Sequence, residues 1–134
     1  MSWHSLLAHF ALVLVWLLPL MTLIVLWRFK AKWIVIAGLQ VLITITGYGT
    51  METGESLEKV AVARIGKPTV ARHEERAEMF VANTVAASAL AVATVMLPAT
   101  MGAHVMKITF VLMLGQVVLF HQTWMSGREL MAIP

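Results

Sequence analysis

The chain has 134 residues, 60% of them hydrophobic and only 13% charged, and its mean hydropathy of +0.83 lies far above that of a soluble domain, which is roughly 45–50% apolar. A soluble globular fold is excluded, and the net charge of +3 fits basic residues anchoring helix ends at lipid headgroups rather than binding nucleic acid. The absence of cysteine removes disulfides, thiolate metal sites, iron–sulfur clusters and covalent haem attachment, so any metal or haem must use His, Glu, Met or backbone.

Four stretches contain no Asp, Glu, Lys or Arg: 1–27, 33–51, 79–106 and 108–127. Each is long enough to cross a bilayer, which takes about 20 helical residues, and together they leave no room for a soluble domain. The expectation is one all-α membrane domain over residues 1–134, with spans at about 6–27, 33–48, 77–97 and 103–124 and a polar loop at 51–76. The first span has no basic n-region and no small-x-small cleavage site, so it reads as a retained helix rather than a signal peptide. Pro19 is placed to kink it, and Arg28, Lys30 and Lys32 close it, flanked by Trp27 and Trp33 at interface depth. The second span is expected to end in a flexible Gly47-Tyr48-Gly49 exit.

Residues 51–78 hold six of the seven acidic and five of the ten basic residues. Within them Leu57, Val60, Ala61 and Arg64 recur at helical spacing, and Gly66 and Pro68 stop the pattern, which predicts a short interfacial helix from about Glu55 to Ile65. The third long helix is expected to start at Thr69, after Pro68, extend through the charged turn His73–Glu78 and continue to about Leu97 before Pro98 breaks it. A tight Pro98–Gly102 turn leads to the fourth span, which Ser126, Gly127 and Arg128 close. Short connections between the first and second and between the third and fourth spans predict an antiparallel four-helix transmembrane bundle. No internal repeat or low-complexity tract is evident. Total Lys plus Arg argues for the polar loop inside, whereas the tight Arg28–Lys32 cluster argues for its own turn inside; weight on the cluster puts the polar loop and both termini outside.

In that topology the ionisable residues collect at one end. His4 and His9 start the first helix, Glu52, Glu55 and Glu58 follow the second, His73, Glu74 and Glu78 start the third, and His121 ends the fourth, while His104 sits beside the opposite turn. Ionisable groups in or beside spans are costly, which makes each a functional candidate. Imidazoles on facing helices can hold a cofactor in a bundle. His4 and His9 are five residues apart, about 140° around a helix, so both would not meet one ion from a regular helix; His9, the deeper, is preferred. Glu74 and Glu78 form an i,i+4 carboxylate pair that, with His73, is metal-like, but Arg72 and Arg76 in the same turns suffice to neutralise it. The alanine-rich run Ala82–Ala93 suits either close helix packing or room for a flat macrocycle. The ten methionines are scattered over different faces and read as filler. Asp is absent and no nucleophile motif or phosphate-binding loop occurs, which leaves hydrolase and kinase chemistry without a basis.

The segment Trp3-His4-Ser5-Leu6-Leu7-Ala8-His9-Phe10, with Thr46-Gly47, Gly54-Glu55, Glu58 and His73-Glu74 followed by Ala77, resembles a bacterial family of small four-helix membrane domains of unknown function that opens His-Pro-x-x-x-His-Phe-Pro. The likeness covers roughly residues 3–95, and Ser5 and Ala11 replace the family's prolines. Some relatives are fused to Rieske-type domains, which implies a redox role in a bacterial cytoplasmic membrane and a b-type haem. The leading expectation is therefore a small electron-transfer protein, rather than a catalyst with its own substrate, binding haem b through His9 and His73, with His4 or His121 able to replace one of them. The alternatives are a divalent metal ion held by His4, His9, His73, Glu55, Glu58, Glu74 and Glu78, and a structural or assembly subunit whose polar residues only pack helices. Expected partners are the lipid bilayer, a redox partner protein or quinone, and further copies of the chain in a homo-oligomer.

Overall fold

A computed structural model describes residues 3–28 and 33–131, and side chains over 3–25 and 33–128. Among the described residues there are five helices and no strand: α1 (Trp3–Arg28), α2 (Trp33–Glu55), α3 (Glu58–Ile65), α4 (Lys67–Met96) and α5 (Ala99–Met131). The four long helices are each long and apolar enough to cross a membrane. The Arg28, Lys30 and Lys32 cluster lies outside the described side chains.

Each long helix outruns its charge-free stretch. Helix α1 continues as one helix through Pro19. Helix α2 does not exit at Gly47-Tyr48-Gly49 but runs to Glu55, because Gly47 serves contact rather than flexibility. A Cβ there would lie 3.2 Å from Phe80 Cε1, so the missing side chain lets α4's ring lie against α2. Thr46, Thr50 and Thr53 return their hydroxyl protons to carbonyls of the preceding turn, which keeps this polar end helical. Helix α4 starts at Lys67, with Pro68 in its first turn where no N–H is missed, after Gly66 reverses the chain at φ +87°. The link to α5 is only Leu97-Pro98, shorter than the expected Pro98–Gly102 turn. Helix α5 runs past Ser126-Gly127-Arg128 to Met131.

Packing closes a ring in the order α1, α2, α4, α5 and back to α1, with α3 against α4. The distribution of side chains is the reverse of a soluble protein's. Large apolar residues such as Val13, Leu20, Ile34, Ile45 and Val111 are 60–64% exposed, while Thr22, Gln40, Thr84, Thr109 and Gln116 are at most 1% exposed. A helix pair in lipid gains nothing from apolar burial, so packing and interhelical hydrogen bonds must supply the association. The central one is a reciprocal amide pair. Gln40 Nε2 on α2 donates to Gln116 Oε1 on α5 at 2.9 Å, and Gln116 Nε2 donates back to Gln40 Oε1 at 3.1 Å. It spans the middle of the ring, between two helices that each pack mainly on α1 and α4. Around it Ser88 Oγ donates to the Gln40 carbonyl at 3.1 Å, Trp33 Nε1 to the Ala91 carbonyl at 3.2 Å and Asn83 Nδ2 to the Leu112 carbonyl at 3.0 Å. Among the described residues no buried side-chain N or O lacks a partner.

Replacing Gln40 leaves the Gln116 amide buried and unpaired, and replacing Gln116 leaves the Gln40 carbonyl oxygen without its donor while Nε2 keeps only a 3.4 Å contact with the Thr84 carbonyl; either costs about 1–3 kcal/mol, whereas replacing both removes the orphan. Gln40→Leu and Gln116→Leu should each lower the unfolding midpoint in a denaturing-detergent titration followed by far-UV circular dichroism. The double variant should recover most of the loss. A double variant as unstable as the sum of the two would show that the amides act separately.

Candidate functional site

The start of α1, the end of α2, the α2–α3 link, α3, the start of α4 and the end of α5 enclose a cavity of about 500 Å³, within the range that receives a small organic ligand. Of the residues singled out in the sequence, His4, His9, His73, Glu55, Glu58, Glu74 and Glu78 all line it. His121 is exposed and is not part of its wall; the same helix turns Phe120 inward, about 100° away. His104 lies beside the α4–α5 link, exposed and bonded to the Thr100 carbonyl of its own helix at 2.9 Å.

Three of the walls are aromatic or small. Phe80 and Phe120 meet edge-on at 5.4 Å, Phe120 stacks on Trp124 at 6.2 Å, and Trp124 meets the His9 ring edge-on at 5.3 Å. Room comes from Ala8, Ala11, Ala61, Ala77 and three glycines, not from the Ala82–Ala93 run. Within that run Ala87 and Ala91 are wholly buried. Their backbone is in contact with α2 through Trp33, and Ser88 beside them bonds the Gln40 carbonyl. The run is a packing surface.

The imidazoles fall into two classes. His9 Nδ1 donates to the Ser5 carbonyl one turn back at 2.7 Å, as an exposed helical histidine does, and His104 is bonded in the same way. His4 and His73 are held by neighbouring helices. His4 Nδ1 is 3.0 Å from the Thr50 carbonyl and 3.3 Å from Thr53 Oγ1. The carbonyl can only accept, and the Thr53 hydroxyl proton is directed to the Gly49 and Thr50 carbonyls. His4 Nδ1 therefore carries the proton. His73 Nδ1 is 3.0 Å from Ser126 Oγ, whose own proton goes to the Thr123 carbonyl at 2.8 Å, so His73 Nδ1 is a donor as well. In both rings Nε2 is left as the lone-pair nitrogen, with ring orientation fixed from the far side, the arrangement by which proteins prepare a histidine ligand.

A glycine completes each seat. A Cβ on Gly54 would be 3.3 Å from His4 Cε1, and one on Gly127 would be 3.2 Å from His73 Cε1. The two seats are spelled alike, Thr50-Met51-Glu52-Thr53-Gly54 and Thr123-Trp124-Met125-Ser126-Gly127. Three of the five positions match, as Thr-x-x-Thr/Ser-Gly, a likeness too short to show in hydropathy or charge. It is legible once each is paired with a histidine near the start of the preceding long helix.

The carboxylates gather along one side: Glu55, Glu58 and Glu78 lie within electrostatic reach of Glu74. Arg76, the expected counter-ion, donates instead to the Gln122 carbonyl on α5 at 3.2 Å. Among the described residues, Arg128 is the one Lys or Arg side chain in the cavity wall. Among the described residues no three His, Asp or Glu side chains come together as a metal-holding group. No protein-family model, curated protein or solved structure matches the chain.

In protein labelled with ¹⁵N-histidine and held above the imidazole titration range, His4 and His73 should both give the Nδ1–H tautomer. Ser126→Ala removes one of two acceptors at His73, the Thr123 carbonyl being the other, and should shift the His73 tautomer ratio toward Nε2–H while leaving His4 unchanged. A predominantly Nε2–H signal from either ring in the unaltered protein would contradict the hydrogen bonding described.

Proposed function

We propose that the chain is an integral membrane protein whose four long helices cross the bilayer in alternating directions, with α3 at the interface, and that the cavity binds haem b for electron transfer. The observation that carries this reading is the His4–His73 pair. Two imidazoles from separate helices line one cavity, each with Nδ1 tied to a neighbouring helix, which leaves Nε2 as the lone-pair nitrogen of the neutral ring. That donor set suits bis-histidine ligation. It also shifts the preferred pair from His9 and His73 to His4 and His73, since His9 is bonded only to its own helix and rests on Trp124. Phe80, Phe120, Trp124 and Val81 give the cavity apolar walls, which keep water from the ligand and lower the local dielectric. When bound, the haem supplies a one-electron couple, and the position of the cavity at one bundle end brings it within reach of a redox partner protein or a quinone. The metal-ion reading is not carried forward, because the four carboxylates and three imidazoles of the wall do not converge as a ligand set.

The membrane reading rests on the four apolar helices and on their outward-facing Val, Leu and Ile side chains. With no native cysteine, single cysteines test it directly. Cysteines at positions 30 and 100 should react with an impermeant maleimide from one side of sealed vesicles, and those at 2, 60 and 130 from the other; any other partition defeats the alternating arrangement.

Protein purified from haem-replete cells should show a Soret band that sharpens and shifts on dithionite reduction. His4→Ala or His73→Ala should abolish or grossly alter it, His9→Ala should perturb it less, and His104→Ala should leave it intact. A colourless preparation retaining stoichiometric zinc, iron or copper would replace the haem reading with a metal site.

A further inference from the structure

The two imidazole seats are alike, but the residues that follow them are not. After Gly54, which touches His4, comes Glu55; after Gly127, which touches His73, comes Arg128. Both line the cavity. At equivalent chain positions the cavity wall therefore carries opposite charges. The asymmetry extends outward, since Glu58, Glu74 and Glu78 line the cavity too and, among the described residues, Arg128 is the one Lys or Arg in its wall.

We infer that Arg128 receives the carboxylates of the cavity's ligand while Glu55 turns them away, so that a ligand bearing carboxylates on one edge enters in a single orientation. This rests on the haem reading, in which the ligand is a planar macrocycle with two propionates. Two imidazole ligands by themselves do not distinguish one edge of such a ring from the opposite edge. Charge does distinguish them. A propionate near Glu55 meets a carboxylate, whereas near Arg128 it meets a guanidinium whose planar fork matches a carboxylate in two parallel hydrogen bonds. Arg128 is exposed, at the rim where a carboxylate stays partly hydrated, so neither partner bears a full burial cost.

The test compares two probes that differ only in those carboxylates. Full-length protein from haem-depleted cells, in neutral detergent micelles, is titrated with haemin and with haemin dimethyl ester, following absorbance. Arg128→Gln should weaken haemin binding about tenfold and leave the ester's affinity unchanged. Arg128→Lys should retain most of the haemin affinity, and Glu55→Gln should tighten haemin about two- to threefold at low salt without affecting the ester. Equal losses for haemin and ester in Arg128→Gln, or no loss for either, overturn the inference while leaving the haem reading in place. If neither probe binds the unaltered protein, the haem reading falls and the inference falls with it. Far-UV circular dichroism melts of each variant separate a binding effect from loss of fold.

Discussion

A hydrogen bond across the middle of the bundle is the constraint on which the arrangement depends. In the proposed bilayer setting, hydrocarbon offers Gln40 and Gln116 no substitute for one another, so the two amides must meet wherever their helices pack. Their pairing fixes the depth of α2 against α5. Helix α4, which packs against both, is tied to the same level by smaller bonds, from Ser88 to the Gln40 carbonyl and from Asn83 to the Leu112 carbonyl. Apolar side chains cannot specify register in this way, because a valine or leucine in lipid loses little by sliding one turn.

Register matters because the imidazole seats are built from pairs of helices. Thr50, Thr53 and Gly54 meet His4 only if α1 and α2 hold their relative depth, and Ser126 and Gly127 meet His73 only if α4 and α5 do. The glycines make this exacting. Each leaves space for one ring edge, and a shift of a single residue would put a Cβ or a longer side chain there. The polar belt at mid-bundle thus sets the level of imidazole seats that lie about ten residues or more away along α2 and α5. Methyl-rich outer faces add solubility in lipid but no such information.

Much of the helical architecture was legible from charge alone, since four uncharged stretches are four apolar helices. The helix ends were not. A charged residue marks where a span leaves hydrocarbon, not where its helix stops: the backbone bonds continue while the side chains become polar, so α2 runs to Glu55, α4 begins at Lys67 and α5 reaches Met131. The same emphasis on formal charge passed over Gln40, Asn83 and Gln116, uncharged polar residues in otherwise apolar runs. At the site, depth along the helix favoured His9 over His4. What orders an imidazole, however, is an acceptor on a second helix, and pairing of that kind is invisible until the helices are brought together. His121 was legible and missed: Met113, Gln116 and Phe120 define the inward face of α5, and His121 is off it.

The repeated Thr-x-x-Thr/Ser-Gly seat has a consequence for how such a site can change. Each pair of long helices brings one imidazole and one seat, so a lone helix pair would present two of each only beside a second copy of itself. In a dimer of identical halves every substitution lands twice, and any charge introduced after one glycine is mirrored after the other. In a single chain the two places are independent: the histidines and their seats match, while the residue after the glycine is Glu55 in one and Arg128 in the other.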